Sequence, residues 1–320
     1  MSGPFGSSQW MYKSGEVIAW GGTRMITAGG TTGNGGTATG NANSIDYVNV
    51  SAGNADSQDF GDLSAVRISL GAVSSTGRIV FLGGNPSYSN VMEYITPAST
   101  GDVTDFGDLV VGSAYNGHQA SNGIRGVMHN GSRSAANGGS YHNELEYITI
   151  ATTGNASDFG DIDTARAGAA GSSNGIRGII WAGNTDTTPT HTKYIQYITI
   201  ASTGNASNFG NMVRIVTSHS ACGNADRNIS FGGFYGSLQD TIEYINPAST
   251  SNTSDFGNLI AAQYMNQGAE TAIRGLINGG SGAVSYENTI QYVTFASTGN
   301  GTDFGNLTVG RYSHAGGSGA

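Results

Sequence analysis

The feature that most constrains the fold is a segment of about 50 residues that recurs six times along the chain. Its most regular copy runs from Tyr147 to Asp161 and reads YITIATTGNASDFGD, and near-identical copies begin at Tyr197 and Tyr292. More divergent copies begin at Tyr47, Tyr94 and Tyr244. The spacings between these six tyrosines are 47, 53, 50, 47 and 48 residues. A fixed period of this length predicts a propeller or a solenoid, in which each unit buries its apolar face only against its neighbours.

Glycine accounts for 52 of the 320 residues, whereas proline occurs 5 times and charged residues make up 11% of the chain. The glycines stand at fixed offsets in a unit that also carries Ile, Val, Tyr and Phe. This regularity indicates ordered turns and close strand packing rather than a low-complexity coil. Length alone suggests about two domains, but stacked repeats form one body, so the repeat predicts a single domain.

Charge and hydropathy exclude several classes of function. The net charge is −9, and lysine occurs only at Lys13 and Lys193, so the chain lacks the basic stripe of a nucleic-acid-binding protein. No segment approaches the ~18 consecutive apolar residues of a membrane span. The first residues do not combine a basic start with an apolar stretch, as a Sec signal peptide does. We expect a chain that folds in a cytoplasm, without membrane insertion and without a nucleic-acid partner.

Each unit is predicted to contain four short strands. The first follows a Phe-Gly-x-Leu element and often carries an arginine, namely Arg67, Arg166 or Arg311. The second is a short apolar run between an arginine and a Gly or Gly-Gly, as from Arg78 to Gly84, which is typical of a buried strand. The third is the Ile-Glu-Tyr-Ile-Thr-Ile element, rich in β-branched and aromatic residues, and the fourth is the brief Asp-Phe-Gly-x-Leu element. Because no helical period is present, we predict an all-β chain.

The order of these elements resembles the kelch repeat of β-propellers. In that family Gly-Gly ends the second strand, a tyrosine lies in the third, and an aromatic residue lies in the fourth. That last residue is usually tryptophan in the family and is phenylalanine in every copy here. The resemblance spans about Arg24 to Ala320. It implies a six-bladed kelch-like β-propeller over residues 23–320, preceded by a short N-terminal arm at residues 1–22. Blade 1 starts at its second strand, so residues 308–317 are expected to supply its first strand and to close the ring.

Motifs of known chemistry do not lead to a catalytic assignment. Asp-Phe-Gly occurs five times, whereas a kinase uses it once with a Gly-rich loop and a partnered lysine. No Gly-x-Ser-x-Gly stands between a strand and a helix, so a serine hydrolase is not indicated. Cys222 is the one cysteine, which excludes an intrachain disulfide and a Cys-based metal cage. We therefore assign no catalytic residue.

Metal ligands are likewise not assigned. The six histidines show neither His-x-His nor the i, i+4 pair of a zinc hydrolase, and we interpret them as isolated strand or loop residues: His118, His129, His142, His191, His219 and His314. Asp62, Asp108 and Asp161 follow Phe-Gly and leave two alternatives. They can form a carboxylate ring for Ca²⁺, or they can take part in turn hydrogen bonds, which we favour. No cofactor is expected.

Three arginines occur in the repeated triplet Ile-Arg-Gly, at Arg125, Arg177 and Arg274. Two roles are open for them. They can bind a carboxylate or a carbonyl group between blades, or they can contact a ligand in a central channel. We favour the structural role, because the residues that recur in every unit build the scaffold.

Departures from the repeat are the better candidates for function, because a variable loop on a rigid scaffold can change without loss of the fold. The loops between the second and third strands carry seven aromatic or imidazole candidates for surface binding: Tyr88, Tyr141, His142, His191, Phe234, Tyr235 and Tyr286. Tyrosine in a Gly, Ser and Asn background is typical of recognition loops. The alternative is that some of these rings only cap the blades.

The N-terminal arm, residues 1–22, lies outside the repeat and contains a cluster of aromatic and apolar residues. Phe5, Trp10, Met11, Tyr12 and Trp20 are the candidates for docking to a partner. Such a segment is typical of a peptide that orders on binding, although it can also form a flap on its own disc.

The arm from Ser2 to Tyr12 is similar to the start of structural and fibre proteins of marine tailed bacteriophages, and the Tyr-Ile-Thr-Ile unit is similar to repeats in such virion proteins. The resemblance implies a virion component, folded in the host cytoplasm, that is anchored by its arm. Expected partners are other virion proteins, further copies of the chain in a homo-oligomer or particle, and a glycan or protein of the host surface. Three alternatives stay open: an architectural head-decoration or tail-collar subunit, a carbohydrate-active enzyme, and a cellular kelch-type adaptor.

Overall fold

The computed structural model describes residues 10–13, 16–19, 22–34, 37–50, 54–114, 119–133, 140–186, 190–283 and 285–319. In these ranges the chain forms strands, turns and connecting segments without a helix, so the prediction of an all-β chain is confirmed. Accordingly, the described part of the chain offers no long apolar helix of the kind that crosses a membrane.

The strands assemble into six repeated antiparallel units, each of which contributes an inner, a second, a third and an outer strand in that spatial order. Unit 1 contains Ala315–Gly319, Arg24–Ala28, Ser44–Asn49 and Gln58–Asp62. Unit 2 contains Gly71–Ser74, Ile79–Leu82, Val91–Ile95 and Thr104–Asp108. Unit 3 contains Gln119–Ser121, Arg125–His129, His142–Thr149 and Ser157–Ala167. Unit 4 contains Ala170–Ser173, Arg177–Thr185, His191–Thr199 and Ser207–Asn211. Unit 5 contains Ser220–Gly223, Asn228–Phe231, Thr241–Ile245 and Ser254–Asn258. Unit 6 contains Gln267–Glu270, Arg274–Asn278, Thr289–Thr294 and Thr302–Asn306.

Shorter strands lie outside this pattern. An N-terminal hairpin pairs Trp10–Lys13 with Glu16–Ala19. A three-stranded sheet contains Gly310–Tyr312, Thr31–Asn34 and Thr37–Asn41, and a small hairpin pairs Phe234–Tyr235 with Ser237–Leu238. The long outer strand of unit 3 also pairs at its end with the second strand of unit 4, so the two units share one eight-stranded sheet.

The predicted second, third and fourth strands are confirmed, but the predicted position of the first strand is wrong. Arg67 lies in the link before Gly71–Ser74, Arg166 lies at the end of an outer strand, and Arg311 lies in the accessory strand Gly310–Tyr312. The inner strands are built from small and polar residues, so hydrophobic periodicity does not reveal them. The arginines belong to the links because their guanidinium groups reach buried polar groups of the next unit.

The C-terminal segment supplies the inner strand of unit 1. Ala315–Gly319 pairs antiparallel with Arg24–Ala28, from Ala315 opposite Ala28 to Gly319 opposite Arg24. The prediction that this segment completes unit 1 is confirmed, although the strand lies a few residues later than the expected 308–317. Unit 1 is therefore assembled from the two ends of the described repeat region.

The six inner strands contact one another in a cycle. Each inner strand contacts that of the next unit, and Ala315–Gly319 contacts both Gly71–Ser74 of unit 2 and Gln267–Glu270 of unit 6. All six line one common space, which we call the central channel. The buried apolar residues follow the same order, in six clusters that each join two neighbouring units. The last cluster joins Met25 and Val48 of unit 1 to Leu276 and Phe304 of unit 6.

Because neighbouring strands are antiparallel, the connections between strands fall at two opposite ends of the units. We call the end with the inner-to-second and third-to-outer turns the turn face, and the end with the second-to-third loops and the links between units the loop face. Each contact zone between two neighbouring units is called a seam.

At the turn face, each unit contains the same stack of three side chains, and the arginine of that stack can also bind the next unit. The arginine at the start of each second strand lies 4.0–4.6 Å from the ring centre of the repeat tyrosine, which in turn meets the outer-strand phenylalanine edge-on at 5.9–6.2 Å. Arg125 also donates to the Ile200 carbonyl of the next unit, and Arg177 donates to the Pro247 carbonyl, both at 3.1 Å. The predicted structural role between units is thus confirmed for these two arginines.

The glycine of Asp-Phe-Gly permits the same close approach at each seam. Gly160 has φ +138°, and a Cβ there would lie 2.6 Å from the carbonyl group of Gly204 in the next unit. In the same turn the Asn205 side chain accepts a hydrogen bond from the Asp161 N–H at 3.0 Å. The equivalent bond joins Asn155 to the Asp108 N–H at 3.0 Å. Asp-Phe-Gly is therefore a contact element between units. Hydrogen bonds were predicted at Asp62, Asp108 and Asp161, but these residues contribute their backbone N–H groups, and the acceptors are the Asp102, Asn155 and Asn205 side chains of the next unit.

The loop-face half of the seams is tied by a chain of backbone hydrogen bonds between the links. The Ser69 N–H donates to Ser313 O, Ser313 N–H to Met265 O, Met265 N–H to Ser218 O, and Ser218 N–H to Gly168 O, at 2.7–3.0 Å. The five residues all have positive φ between 52° and 61°. The first of these bonds joins the link that follows unit 1 to the link that follows unit 6.

Buried polar groups join the same links to the third strands. Arg311 contacts Asp46 at 2.8 Å, and Arg67 forms an ion pair with Glu93, all with side chains at most 5% exposed. Arg166 donates to Gln196 at 2.8 Å, and Arg214 lies 3.4 Å from Glu243. In the two remaining units a backbone N–H of the link takes the place of the arginine. The Val110 N–H donates to Glu146 and the Ile260 N–H donates to Gln291, both at 2.9 Å.

Candidate functional site

The predicted docking residues lie at the start of the chain. Trp10, Met11 and Tyr12 belong to the N-terminal hairpin, and Phe5 and Trp20 lie outside the described residues. The chain enters unit 1 at Arg24, which begins a second strand and therefore lies at the turn face. The Val50 N–H donates to the Thr23 carbonyl at 2.8 Å, which fixes the point of entry at that face.

Four of the seven predicted surface-loop residues belong to one group of rings on the loop face. His191 and Tyr235 meet edge-on at 5.3 Å between units 4 and 5. Phe234 lies 5.9 Å from Tyr264, and Tyr286 lies 4.8 Å from Tyr312. Phe234 and Tyr235 are consecutive, and isolated β-bridges pair the backbone of Ser281 with both Tyr264 and Tyr286, so the backbones that carry the three pairs are neighbours. We call these six residues the aromatic arc: His191, Phe234, Tyr235, Tyr264, Tyr286 and Tyr312.

The aromatic arc combines buried edges with exposed faces. Phe234 and Tyr235 are 40% and 48% exposed, and they belong to a two-residue strand in a tight hairpin. His191, Tyr264, Tyr286 and Tyr312 are half-buried. Rings that pack on one another in this way are held rigid while they keep an amphipathic surface, which is suited to binding. The sequence did not indicate Tyr264 and Tyr312, because both lie in links between units rather than in the second-to-third loops.

The other three predicted loop residues take part in local structure. Tyr88 is half-buried with φ +50°, and its N–H donates to the Asn85 side chain at 3.3 Å. The Tyr141 N–H donates to Asp186 at 2.9 Å, which ties the loops of units 3 and 4 together. His142 lies 3.3 Å from Glu144 within the same strand. The structure does not bring these three residues into the aromatic arc.

A groove lies beside the arc at the loop-face end of unit 4. Its volume is about 300 Å³, and Arg166, His191, Lys193 and Tyr194 are among its lining residues. Lys193 and Tyr194 are exposed, and Tyr194 is 54% exposed. Sequence reasoning missed both residues, although a position-by-position comparison of the six units would have shown them to be departures from the repeat. We call this space the unit-4 groove.

The central channel is lined by small polar side chains together with one carboxyl group. Ser121 Oγ donates to the Ser74 carbonyl at 2.7 Å, and Ser173 Oγ donates to the Ser121 carbonyl at 2.8 Å. Glu270 occupies the corresponding position in unit 6 and is the one carboxylate among the described residues of the channel lining. Enclosure by protein raises the pKa of Glu270 to about 7, because the charged form is poorly solvated there.

The buried histidines belong to the scaffold, and His118 lies outside the described residues. His129 Nε2 contacts the His142 carbonyl at 2.7 Å, and His314 Nε2 contacts Asn278 Oδ1 at 2.7 Å. Burial lowers the pKa of His129 to about 4 and that of His314 to about 3, and it lowers the pKa of His219 as well. Among the described residues, no three His, Cys, Asp or Glu side chains are grouped so that they could hold a metal ion. Cys222 is buried in the cluster between units 5 and 6.

Comparison with known proteins adds no assigned role for any of these residues. No protein-family model matches the chain, and no curated protein matches it. The functional argument therefore depends on which residues the fold brings together and on the face where they lie.

Proposed function

We propose that residues 23–320 form a six-bladed kelch-like β-propeller, with units 1 to 6 as its blades and the C-terminal strand as the closing element. Three observations support this proposal. The inner strands contact one another in a cycle, the six apolar clusters include one between units 6 and 1, and the Ser69 to Ser313 hydrogen bond joins the links on either side of unit 1. Such closure leaves no inner edge unpaired within the ring.

We further propose that the protein is a structural component of a phage virion, a tail-associated fibre or adhesin module. It docks through its N-terminal arm and presents loops to the host surface. The observation that carries this proposal is the separation of the two candidate sites: the arm enters at the turn face, whereas the aromatic arc lies on the loop face. A subunit anchored at one face thereby presents its recognition rings away from the anchor.

The turn face has features that suit attachment to a particle. Besides the entry of the arm, it exposes three isoleucines in the inner-to-second turns, with Ile124, Ile176 and Ile273 at 61%, 42% and 63% exposure. Exposed apolar side chains of similar size also lie in the links of the loop face, at Val110, Val213 and Ile260, so the entry of the arm is the feature that distinguishes the turn face. The resemblance of the arm to virion proteins of marine tailed phages agrees with this arrangement. Several copies on one particle would raise the overall avidity for a host surface even where each contact is weak.

Two of the alternatives make different demands on the structure. A head-decoration or tail-collar subunit would bury the aromatic arc against other virion proteins, and microscopy of assembled particles distinguishes that case. A glycosidase needs two carboxyl groups that flank the scissile bond. Glu270 is the one carboxyl group among the described channel-lining residues, so we do not propose that activity.

The test compares two variants in assembled particles. Deletion of residues 2–21 is expected to leave the far-ultraviolet circular dichroism and the thermal unfolding of the soluble protein nearly unchanged, while incorporation into particles is lost. The matched variant Phe234→Ser/Tyr235→Ser alters two exposed rings on the other face. It is expected to enter particles normally and to reduce their adsorption to host cells.

Cryo-electron microscopy of the particles completes this test. The proposal expects the turn face against the particle and Tyr235 towards solvent. An aromatic arc covered by neighbouring subunits would instead establish the architectural role. Normal incorporation of the deleted chain would contradict docking through the arm.

A further inference from the structure

The unit-4 groove differs from the corresponding places in the other units at two adjacent positions. The residue four positions before the repeat tyrosine is Lys193 in unit 4, whereas the other units carry Asn43, Asn90, Asn143, Asp240 and Asn288. The next residue is Tyr194 in unit 4, whereas the other units carry Ser44, Val91, Glu144, Thr241 and Thr289. Unit 4 thus carries a long cation where the other units carry Asn or Asp, and an aromatic ring where none of the other units carries one.

The scaffold role of this position depends on its backbone rather than on its side chain. The Lys193 carbonyl accepts from the Met212 N–H at 2.8 Å, as the Asn43 carbonyl accepts from Leu63 and the Asn90 carbonyl from Leu109. In two other units the asparagine side chain also binds the link, because Asn43 and Asn143 donate to the Leu63 and Ile162 carbonyls at 3.4 and 3.5 Å. Lysine at this position replaces the asparagine side chain that binds the link, whereas the hydrogen bond from the Met212 N–H to the backbone carbonyl is retained.

Two cations line the groove, and only one of them, Arg166, forms an ion pair among the described residues. Arg166 is fully buried and is bound to Asp163 and Gln196 at 2.8 Å. Within the described residues Lys193 has no ion pair, although the chain as a whole carries a net charge of −9. A lone exposed cation in such an acidic protein, placed in a concave site, attracts an anionic group.

Aromatic surfaces flank this cation on the loop face. Tyr194 is more than half exposed, and His191 at the groove wall meets Tyr235 of the aromatic arc at 5.3 Å. The volume of about 300 Å³ admits a ligand the size of one or two sugar rings. The ring of a pyranose has an apolar C–H face that can lie on an aromatic ring, and its hydroxyl groups can bind the threonines Thr164, Thr185 and Thr192 that also line the groove.

We propose that the unit-4 groove binds an acidic saccharide, with Lys193 on the carboxylate and Tyr194 against the sugar ring. This inference rests on the proposed recognition role of the loop face and specifies the chemical class of its ligand. Lysine is suited to this role as a mobile point charge on a flexible stem, and a charge-assisted hydrogen bond to a carboxylate is stronger than a neutral one.

The experiment uses the full chain and two matched probes, oligomers of glucuronic acid and oligomers of glucose of the same length, in isothermal titration calorimetry. The native protein is expected to bind the glucuronic acid oligomer and to bind the glucose oligomer at least about ten-fold more weakly, as the loss of one charge-assisted bond implies. Lys193→Asn and Tyr194→Thr place in unit 4 residues that other units carry, so both variants should fold. Lys193→Asn should weaken binding of the acidic oligomer about ten- to hundred-fold, and Lys193→Arg should retain most of it.

The outcomes separate this inference from the proposed function. Equal affinity for the two oligomers, or unchanged affinity of Lys193→Asn, would overturn the acidic-saccharide site. If Lys193→Asn particles still adsorb to host cells while Phe234→Ser/Tyr235→Ser particles do not, the adhesin function stands and the groove is not its receptor site. If particles assembled without the protein adsorb to host cells as well as native particles do, the adhesin function itself is contradicted. A selective loss of acidic-oligomer binding and of adsorption in Lys193→Asn supports both.

Discussion

The turn face and the loop face follow different rules. On the turn face, an arginine–tyrosine–phenylalanine stack recurs within each unit, with centroid distances that vary by less than 1 Å, and a close glycine contact recurs between neighbouring units. On the loop face, neighbouring units are joined in different ways, by Arg67 with Glu93, by Arg166 with Gln196, or by the Val110 N–H with Glu146. The turn face therefore sets the spacing of the units, and the loop face tolerates substitution.

This difference explains where the candidate sites are found. The side chains that depart from the repeat, such as Lys193 and Tyr235, lie on the loop face, where a seam can be closed by more than one set of polar contacts. A departure on the turn face would disturb a ring stack and a backbone contact together. The contrast between the two halves predicts effects on stability that decrease in size from a buried ion pair to single titratable groups.

The largest loss of stability is expected when one partner of a buried ion pair on the loop face is removed. Arg311 and Asp46 are 2.8 Å apart with side chains 0% and 3% exposed, and Arg311 also donates to the Gly29 and Ser44 carbonyls. Arg311→Gln leaves the Asp46 carboxylate buried without its cation, so we expect a loss of about 4 kcal/mol in the free energy of unfolding. Equilibrium unfolding in urea measures this loss.

The control for this variant is already present in the molecule. The seam between units 5 and 6 carries Gln263, in the link that follows unit 5, in the place of the arginine, and Gln291 of unit 6 in the place of the acid. The double variant Arg311→Gln/Asp46→Gln copies that seam and is expected to recover most of the lost stability. A double variant that is no more stable than Arg311→Gln would show that the loop-face seams are not interchangeable.

A smaller effect is expected on the turn face from two matched glycine variants. Gly160 and Gly154 have similar backbone conformations, with φ +138° and +156°, but a Cβ on Gly154 meets no atom within 4 Å. Gly160→Ala combines backbone strain with a collision against Gly204, so we expect a loss of about 3 kcal/mol. Gly154→Ala adds only strain and is expected to cost about 1 kcal/mol. Equal losses in urea unfolding would mean that the close approach between units does not determine the choice of glycine.

The third prediction concerns the pH dependence of stability that the buried His314 of the loop-face seams introduces. Because the pKa of His314 is about 3 in the folded protein and about 6.5 when unfolded, its stabilising contribution is complete above pH 6.5 and is lost as the pH falls towards 3. Between pH 8 and pH 5 we expect His314 alone to account for a loss of about 2 kcal/mol. The variant His314→Asn carries the residue found at this position in unit 6, Asn266, and should reduce the loss by that amount in urea unfolding at the two pH values.

The contribution of Glu270 to the free energy of unfolding changes with pH in the opposite direction to that of His314. The pKa of Glu270 is raised to about 7 from about 4.5, so its contribution is complete below pH 4.5 and is lost as the pH rises through 7. Glu270→Ser, which restores the serine of units 2 to 4, should therefore steepen the acid destabilisation. A variant with the native pH dependence would contradict the assignment of Glu270 to an enclosed position.

The sequence predicted the features that recur in every unit. The all-β class, the second, third and outer strands, the pairing of the C-terminal segment with unit 1, and the structural role of Arg125 and Arg177 follow from residues repeated at a fixed period. The predicted position of the inner strands was wrong because residues such as Ala72 and Ser74 have little hydrophobic signal. The recurring arginine, as at Arg67, was taken to mark the strand, although it belongs to a link.

The candidate site was only partly predictable, because its members lie far apart in the chain. Phe234 and Tyr235 were recognised as loop aromatics, but Tyr264 and Tyr312 join them only through the packing of links against loops. Lys193 was noted for its charge and was not assigned a role, since its significance depends on a comparison of units rather than on a local motif. The roles of Phe5 and Trp20 stay predictions, because these residues lie outside the described part of the chain.

The completion of unit 1 by Ala315–Gly319 also has a consequence for the order of synthesis. The strand Arg24–Ala28 is synthesised about 290 residues before the strand that covers its edge, which corresponds to about 15 to 60 s at ordinary translation rates. During that interval the edge of Arg24–Ala28 is open to any strand of matching register, including the terminal strand of a chain made alongside it. Expression at high local concentration thus favours exchange of this strand between nascent copies, and slower synthesis on widely spaced ribosomes favours pairing of the two strands within one chain.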